Sequence, residues 1–294
     1  MSAASVSLWR QRLFGTPATA VVTLLLAAAI AWLAIPIIRW ALIDASWRGT
    51  TRADCTAGGA CWVFVKARFG QFMYGLYPQG ERWRADLAGI LFVLAIAAIV
   101  LAPQRLRLKL AIATLVVLPP LGIWLLAGGF GLRWVETREW GGLMLTLFIS
   151  VYASLIAIPL GILLALGRQS QLKVVRLVSV LFIEFWRGVP IIAVIFLASL
   201  LLPLILPGGV GIDRLARAVI GLGLVIAAYM AEAVRGGLQA LPPGQREAAT
   251  ALGLTYWKAT GLIILPQALR ISLPAMTNEF IALVKNTTLV LVVS

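Results

Sequence analysis

Seven apolar stretches of membrane-spanning length limit what this chain can fold into. A helix needs about 20 predominantly apolar residues to cross roughly 30 Å of bilayer hydrocarbon. Because lipid offers the backbone no hydrogen-bond partners, such spans fold as helices. The sequence therefore predicts an all-α, polytopic helical membrane protein. The predicted spans cover residues 19–40, 87–103, 110–128, 143–167, 189–206, 215–234 and 261–284.

Both ends of the sequence carry apolar segments. The first span is too long for a cleaved signal peptide and lacks a clear small-residue cleavage site, so we interpret it as an anchor. An eighth apolar run begins at Leu289 and is cut at Ser294, which predicts a last span that this sequence does not complete.

Composition excludes several classes of function. The chain is 61% hydrophobic and 12% charged, with 25 basic and 11 acidic residues. Short cytoplasmic loops of membrane proteins collect Lys and Arg, so we attribute the positive charge to membrane orientation and expect lipid rather than nucleic acid as a partner. The chain has no His and only two cysteines. Without His or a nucleophile–base set, we expect neither a metal site nor an enzyme.

Loop charges predict the orientation. Segments 104–109 and 168–176 each hold three basic residues and no acid, whereas loop 130–141 is balanced. The first two should be cytoplasmic, which also puts the N-terminus with Arg10 and Arg12 inside. Loop 41–86 carries six basic residues yet must lie outside. Long loops follow the charge rule less strictly, so the predicted topology stands.

The chain divides into a part at 1–135, with three spans and a long outer loop, and a part at 136–294 with shorter loops. A distinctive loop at 237–266 joins the sixth and seventh spans. Pro242, Pro243 and Gly244 end the sixth span there, and an Ala-rich short helix follows from Glu247. Gly253 suits a left-handed helix stop. The loop thus predicts short surface helices with a small-residue face that another protein can approach closely.

This loop resembles the EAA loop of binding-protein-dependent ABC importers. It has Glu247-Ala248-Ala249, three residues, Gly253, nine residues, and then Ile-x-Leu-Pro at 263–266. Four further stretches resemble the polar-amino-acid branch of these permeases: 182–190, 228–237, 265–270 and 283–289. One departure is Asn286, where that branch commonly has Asp. The additional N-terminal spans are similar to the general L-amino-acid subclass.

The resemblance implies the permease subunit of a type I ABC importer in the bacterial inner membrane, with extra N-terminal spans. It implies two cytoplasmic ATPase subunits, a second and often different permease subunit, and a periplasmic amino-acid-binding protein. Glu247, Ala248, Ala249 and Gly253 would couple the permease to the ATPases. ATP would bind to those partners, since this chain has no Gly-x-x-x-x-Gly-Lys-Ser/Thr loop and no cofactor site of its own is expected.

Ionisable groups inside spans are costly, and they mark helix contacts or a transport path. Glu184 and Arg187, and likewise Glu232 and Arg235, are spaced to pair along one helix face. The seventh span, broken by Pro266 and Pro274, places Thr277, Asn278 and Glu279 together. For these three residues, and for Glu184 and Arg187, both readings stay open: lining the path, or local polar contacts between helices.

Two further alternatives come from the residues themselves. A buried Glu279 and proline breaks would also suit a secondary amino-acid transporter driven by an ion gradient. In the outer loop, Cys55 and Cys61 flank two glycines that let the chain turn. An oxidising periplasm permits a disulfide between them, and two free thiols are the alternative.

Overall fold

The structure is a computed structural model that describes residues 11–56, 58–200 and 211–292. Within those ranges the regular structure is helical, which confirms the predicted all-α class. Eleven α-helices occur there, numbered in chain order: α1 (Pro17–Ile38), α2 (Trp62–Tyr74), α3 (Arg82–Leu101), α4 (Gln104–Ala127), α5 (Gly142–Arg168), α6 (Lys173–Gly188), α7 (Ile191–Leu200), α8 (Arg214–Gln239), α9 (Gly244–Ala251), α10 (Tyr256–Ala259) and α11 (Leu265–Asn286).

Six helical segments of the described chain are long and apolar enough to cross a membrane, and they confirm six of the seven predicted spans. The last of them extends further than predicted, because α10 continues through a π-helical turn at Thr260–Ile264 into α11. The six are Pro17–Ile43, Gln79–Leu101, Gln104–Ala127, Gly142–Arg168, Arg214–Gln239 and Tyr256–Val290.

The predicted fifth span, 189–206, has a different form. Helices α6 and α7 together could make one span, but they meet at a bend of 102°. Val189 is extended at φ −93°, ψ 131° because the following Pro190 disfavours a helical conformation there. Residues 201–206 lie outside the described ranges. The predicted eighth stretch begins at Leu289, and its described residues lie in a 3₁₀ helix at Thr287–Val292. Residues 293–294 lie outside the described ranges.

The chain forms two compact units, residues 1–70 and 71–294. In the first unit, α1 is apolar on all sides and has no buried residue, as expected for a helix surrounded by lipid. The second unit contains α3 and α4 as well as the later helices. The predicted division of the chain into 1–135, with three spans and a long outer loop, and 136–294, with shorter loops, stays a prediction.

The core of the second unit is built around α8, whose apolar window is 72% buried. Helices α5, α6, α7 and α11 pack on it. A Cβ on Gly161 of α5 would lie 2.7 Å from the Met230 Cβ, and one on Gly237 would lie 2.4 Å from the Ala268 carbonyl oxygen. Small residues let membrane helices approach closely, so these glycines set the contacts of α8 with α5 and α11.

A buried arginine ties the start of α3 to the segment after α4. Arg84 is fully buried, and its Nη1 donates to the Arg133 carbonyl oxygen at 3.0 Å. Its Nε lies 3.2 Å from the Glu81 carboxylate. Tyr77 donates to the Leu126 carbonyl oxygen at 2.8 Å, and burial raises the pKa of this phenol. The buried charge is thus paired and hydrogen-bonded, as a buried cation must be.

Candidate coupling surface and translocation path

The loop predicted to couple this chain to its ATPases begins with helix α9. The helix confirms the expected short helix, and Glu247 lies in its first turn, where the helix dipole favours an acid. Glu247 and Ala248 are exposed, whereas Ala249 is buried against its own chain. Three of the four predicted coupling residues, including Gly253, therefore face outward, and Ala249 anchors the helix.

Gly253 ends α9 in the left-handed conformation that the sequence predicts, with φ +71°. Its N–H donates to the Thr250 carbonyl oxygen at 2.9 Å, and the Leu254 N–H donates to that of Ala249 at 3.1 Å. A Cβ at Gly253 would meet nothing within 4 Å in this chain. The glycine is thus required by the backbone, and the space around it is open. Thr255 occupies the N-cap position of α10, and its side chain makes no capping hydrogen bond.

An apolar patch surrounds the end of α9, and the sequence reasoning did not identify it. Leu252 is 77% exposed, Trp257 73% and Tyr256 57%. The two aromatic rings pack edge to face with centroids 5.3 Å apart. Apolar side chains clustered on a polar loop mark a contact surface. The available sequence signal was the adjacent Tyr-Trp pair directly after the glycine stop.

Polar contacts fasten this loop to the helical core. Arg246 of α9 donates to the Gln169 side-chain oxygen at 2.8 Å, directly after the end of α5. Gln267 of α11 donates to the Gln245 side-chain oxygen at 3.2 Å. Displacement of α9 would therefore pull on both α5 and α11.

An ion cluster joins α5, α6 and α8 beside this attachment. Arg168 Nη1 donates to Glu184 at 3.1 Å and to Glu232 at 2.8 Å. The predicted pair between Glu232 and Arg235 forms at 2.7 Å. The predicted Glu184–Arg187 pair does not, since Glu184 pairs with Arg168. The Arg187 guanidinium lies 3.9 Å from Glu232 and 5.5 Å from the Tyr229 ring centroid. Packing of the three helices offers partners that a single helix cannot.

The polar residues of α11 lie on an accessible face. Thr277 and Asn278 are exposed, and Glu279 is half-buried and within Coulomb range of Arg187. The Thr277 hydroxyl donates to the Leu273 carbonyl oxygen at 2.8 Å. Pro274 does not break the helix, contrary to expectation, and α11 continues through it to Asn286. Pro266 stands in its first turn, directly after the π-helical turn at Thr260–Ile264.

In the first unit, Cys55 and Cys61 are paired, with their Cα atoms 5.7 Å apart. A 3₁₀ turn at Arg52–Asp54 leads into Cys55. The N–H groups of Thr51 and Thr50 donate to the Asp54 carboxylate and hold the pKa of this exposed group below its usual range. Trp47 and Trp62 stack beside the turn with centroids 5.5 Å apart.

A bundle of spanning helices, with a contact surface on one loop and a polar face within the membrane, defines a membrane transport subunit. Residues 157–294 match the family of binding-protein-dependent transport system inner membrane components. The chain is 54% identical over 261 residues to the inner membrane amino-acid ABC transporter permease protein YhdY of Escherichia coli K12, covering 88% of this chain and 71% of that protein.

Other similar proteins belong to the same class. The chain is 37% identical over 347 residues to the glutamate/glutamine/aspartate/asparagine transport system permease protein BztC of Rhodobacter capsulatus, covering 96% of this chain and 80% of that one. Among solved structures, it is similar to an amino acid ABC transporter crystallised with histidines, at 37% identity and a TM-score of 0.46, over 51% of this chain and 69% of that chain.

The chain belongs to the family of binding-protein-dependent inner membrane permeases. It is the permease subunit of an ATP-driven importer of the inner membrane, and ATP is hydrolysed by separate ATPase subunits. This membership favours ATP-driven import over the ion-gradient alternative.

Proposed function

We propose that this chain translocates amino acids, and that it does so with a second, different permease subunit and a periplasmic amino-acid-binding protein. The support is that YhdY and BztC, which the chain resembles over most of its length, are named as permeases for amino acids. ATP binds to the ATPase subunits, and this chain carries no cofactor.

The exposed patch around Gly253 is the observation that carries the coupling part of this proposal. Leu252 directly after α9 and Trp257 at the start of the last spanning segment leave large apolar surfaces, and Glu247 of α9 is exposed as well. Such surfaces are typical of protein contacts, with tryptophan enriched among the residues that dominate binding. We place the ATPase subunit on this surface. Arg246 and Gln267 then pass its motion to α5 and α11.

The translocation path follows α11. Its polar side chains would otherwise meet hydrocarbon, and polar groups within the membrane face partners or water. The Glu279 carboxylate can accept from the ammonium group of a zwitterionic substrate, and the Asn278 side-chain amide can donate to its carboxylate. Glu184 of the ion cluster and Arg187 lie at the end of α6. No ligand contact is assigned beyond these groups.

Removing either polar group from α11 slows uptake. For Glu279→Ala and Asn278→Leu we expect uptake to fall at least about tenfold, the worth of one hydrogen bond to a charged group. Both variants should still assemble with the ATPase. Substrate uptake into proteoliposomes checks the first point and co-purification the second. Glu136→Ala, which alters an exposed ion pair with Arg138, serves as the control. Normal uptake by both α11 variants would make local helix contact the better explanation.

We also propose that the N-terminus, the α9 loop and segments 104–109 and 168–176 are cytoplasmic, with 41–86 outside. Single cysteines at the exposed positions Arg48 and Thr250, introduced after replacement of Cys55 and Cys61 by serine, test this arrangement. An impermeant thiol reagent added to intact spheroplasts should label position 48 and spare position 250. The reverse pattern would invert the topology.

The assembly is tested by purification in mild detergent. We expect an ATPase and a second permease subunit to co-purify. When the assembly is reconstituted with its binding protein, amino-acid uptake should require ATP and persist when an uncoupler collapses the ion gradient. Uptake without ATP that an uncoupler abolishes would revive the ion-gradient alternative. Transport of a different solute class would refute only the substrate part.

A further inference from the structure

A long apolar groove of about 930 Å³ lies between the α3–α4 hairpin and α5. Its volume falls within the range of about 300–1,000 Å³ typical of small-molecule sites. Its walls come from α3, α4 and α5 and from the end of α2, and they consist mainly of leucine, isoleucine, valine, alanine and phenylalanine. All of these residues belong to the second unit, so the groove is a feature of a single compact body.

The groove is closed on one side and open on the other. Helix α4 meets α5 at Gly122, where a Cβ would lie 2.8 Å from the Tyr152 Oη. The Tyr152 hydroxyl also donates to the Pro119 carbonyl oxygen at 2.6 Å, which fixes this contact. On the α3 side, Ile90, Val93 and Leu94 line the groove and are each more than half exposed. The opening therefore faces the surroundings of the spans, which are bilayer hydrocarbon.

The length of the groove matches an acyl chain. Its lining on α3 extends from Ala85 to Ile99. At about 1.5 Å of rise per residue this distance is roughly 20 Å. One leaflet contributes about half of the roughly 30 Å of hydrocarbon. A full acyl chain can thus lie along the groove from the headgroup level inward.

One end of the groove is polar and basic. There the Tyr74 hydroxyl donates to the Asp86 carboxylate at 2.5 Å, which engages that acid. The Arg82 guanidinium lies over the Tyr74 ring, 5.1 Å from its centroid. Arg82 Nε is buried and has no hydrogen-bond partner among the described residues. The apolar run of α3 begins at Leu87, five residues after Arg82, so this partly exposed cation lies near headgroup depth.

We propose that the groove is a phospholipid site, with acyl chain in the apolar cleft and the phosphate on Arg82. Arginine is suited to phosphate because its donors match the geometry of the oxygens. A second helix is a poorer occupant, since helix association in membranes favours small residues and these walls are mostly large and branched. A lipid in this site adds to the direct contact of α4 with α5 at Tyr152 in holding the α3–α4 hairpin against the core.

Two variants test the two halves of the site. Gly89 lines the groove and a Cβ there would meet nothing within 4 Å, so a larger side chain can start from this position, and Gly89→Phe adds bulk to the cleft. Arg82→Gln removes the cation and keeps the shape. The control for Gly89→Phe is Val116→Phe, at an exposed position of α4 that does not line the groove. The control for Arg82→Gln is Arg105→Gln, at the start of α4. Each variant is purified within its assembly in mild detergent, and bound phospholipid is counted by native mass spectrometry.

We expect the unmodified protein and both controls to retain phospholipid and Gly89→Phe to lose it. After delipidation, Arg82→Gln should bind dioleoyl phosphatidylglycerol about tenfold more weakly than the control, the loss of one charge-assisted hydrogen bond. Equal lipid retention by Gly89→Phe and Val116→Phe would overturn the proposal. So would a photo-cross-linker at position 94 that captures a polypeptide instead of lipid. Lipid retention is measured apart from uptake, so its failure leaves the transport proposal untouched.

Discussion

Replacing Gly253 with aspartate should abolish ATP-driven uptake and leave the permease in the membrane. Gly253 has φ +71°, where a residue with a side chain pays about 1–2 kcal/mol. Any added side chain would project into open space beside Leu252, which is the surface we assign to the ATPase. A substitution at a hot spot of such a contact costs at least about 2 kcal/mol, or roughly 30-fold in affinity. Insertion should be unaffected because no span changes.

A series of substitutions separates the two causes. Gly253→Ala adds the backbone cost with little bulk, Gly253→Asn adds bulk in a residue that tolerates the left-handed region, and Gly253→Asp adds charge as well. Gly80→Asp is the control, since Gly80 has open space and no positive φ. Membrane-bound permease is followed by immunoblot, and co-purified ATPase and uptake are measured on the same membranes. If Gly253→Asp transports normally with the ATPase bound, this loop is not the coupling element.

Removing Arg168 should both destabilise the bundle and slow uptake. Arg168→Gln loses hydrogen bonds to two carboxylates, and the one to Glu232, which is 16% exposed, matters more than the one to Glu184, which is 56% exposed and screened by solvent. One such bond is worth about 1.5–3 kcal/mol, which lowers the thermal midpoint by several degrees. Uptake falls because Arg168 precedes Gln169, where the α9 loop is attached.

Arg176→Gln is the matched control for that experiment. Arg176 is exposed, and within the described part of the chain its side chain donates to the Ser170 carbonyl oxygen alone. Arg168→Lys should recover part of both stability and uptake, since it keeps the charge but not the geometry that lets one guanidinium nitrogen reach both carboxylates. Thermal unfolding in detergent and the ratio of uptake to ATP hydrolysis are the readouts. Equal values for Arg168→Gln and Arg176→Gln would show that the cluster has no role in either.

The positions of most spans were predictable because span length is a local property. Six apolar runs match six spanning helices within a few residues at most ends, since the bilayer demands about 20 apolar residues whatever the rest of the chain does. The bend between α6 and α7 was not predicted, although its cause, the Val189–Pro190 pair, is local. The predicted fifth span begins at residue 189, so the prediction does not join the run after Pro190 to the helical segment that carries Glu184 and Arg187 before it.

The local structure of the candidate coupling loop was also predictable from the sequence. The short α9 helix and its left-handed glycine follow from the Ala-rich segment and the Gly253 stop, both of which act over a few residues. The coupling role, the path residues and the partner subunits stay predictions that the experiments above address. Trp257 and Leu252 went unnoticed because exposure, which makes them a contact surface, cannot be read from residue type.

The sequence by itself determined the helical membrane class, the span positions and the stop at Gly253, because each depends on neighbours along the chain and on the solvent. Only the tertiary structure decided which charges meet. Arg168 reaches Glu184 and Glu232 across sequence separations of 16 and 64 residues, so the helical spacing that predicted a Glu184–Arg187 pair gave the wrong partner. Arg84 is buried for the same reason: the Arg133 carbonyl oxygen and Tyr77 come to it from other segments. Packing brings such groups within hydrogen-bond distance, and inside a low-dielectric bundle the nearest partner outweighs the one that helical spacing suggests.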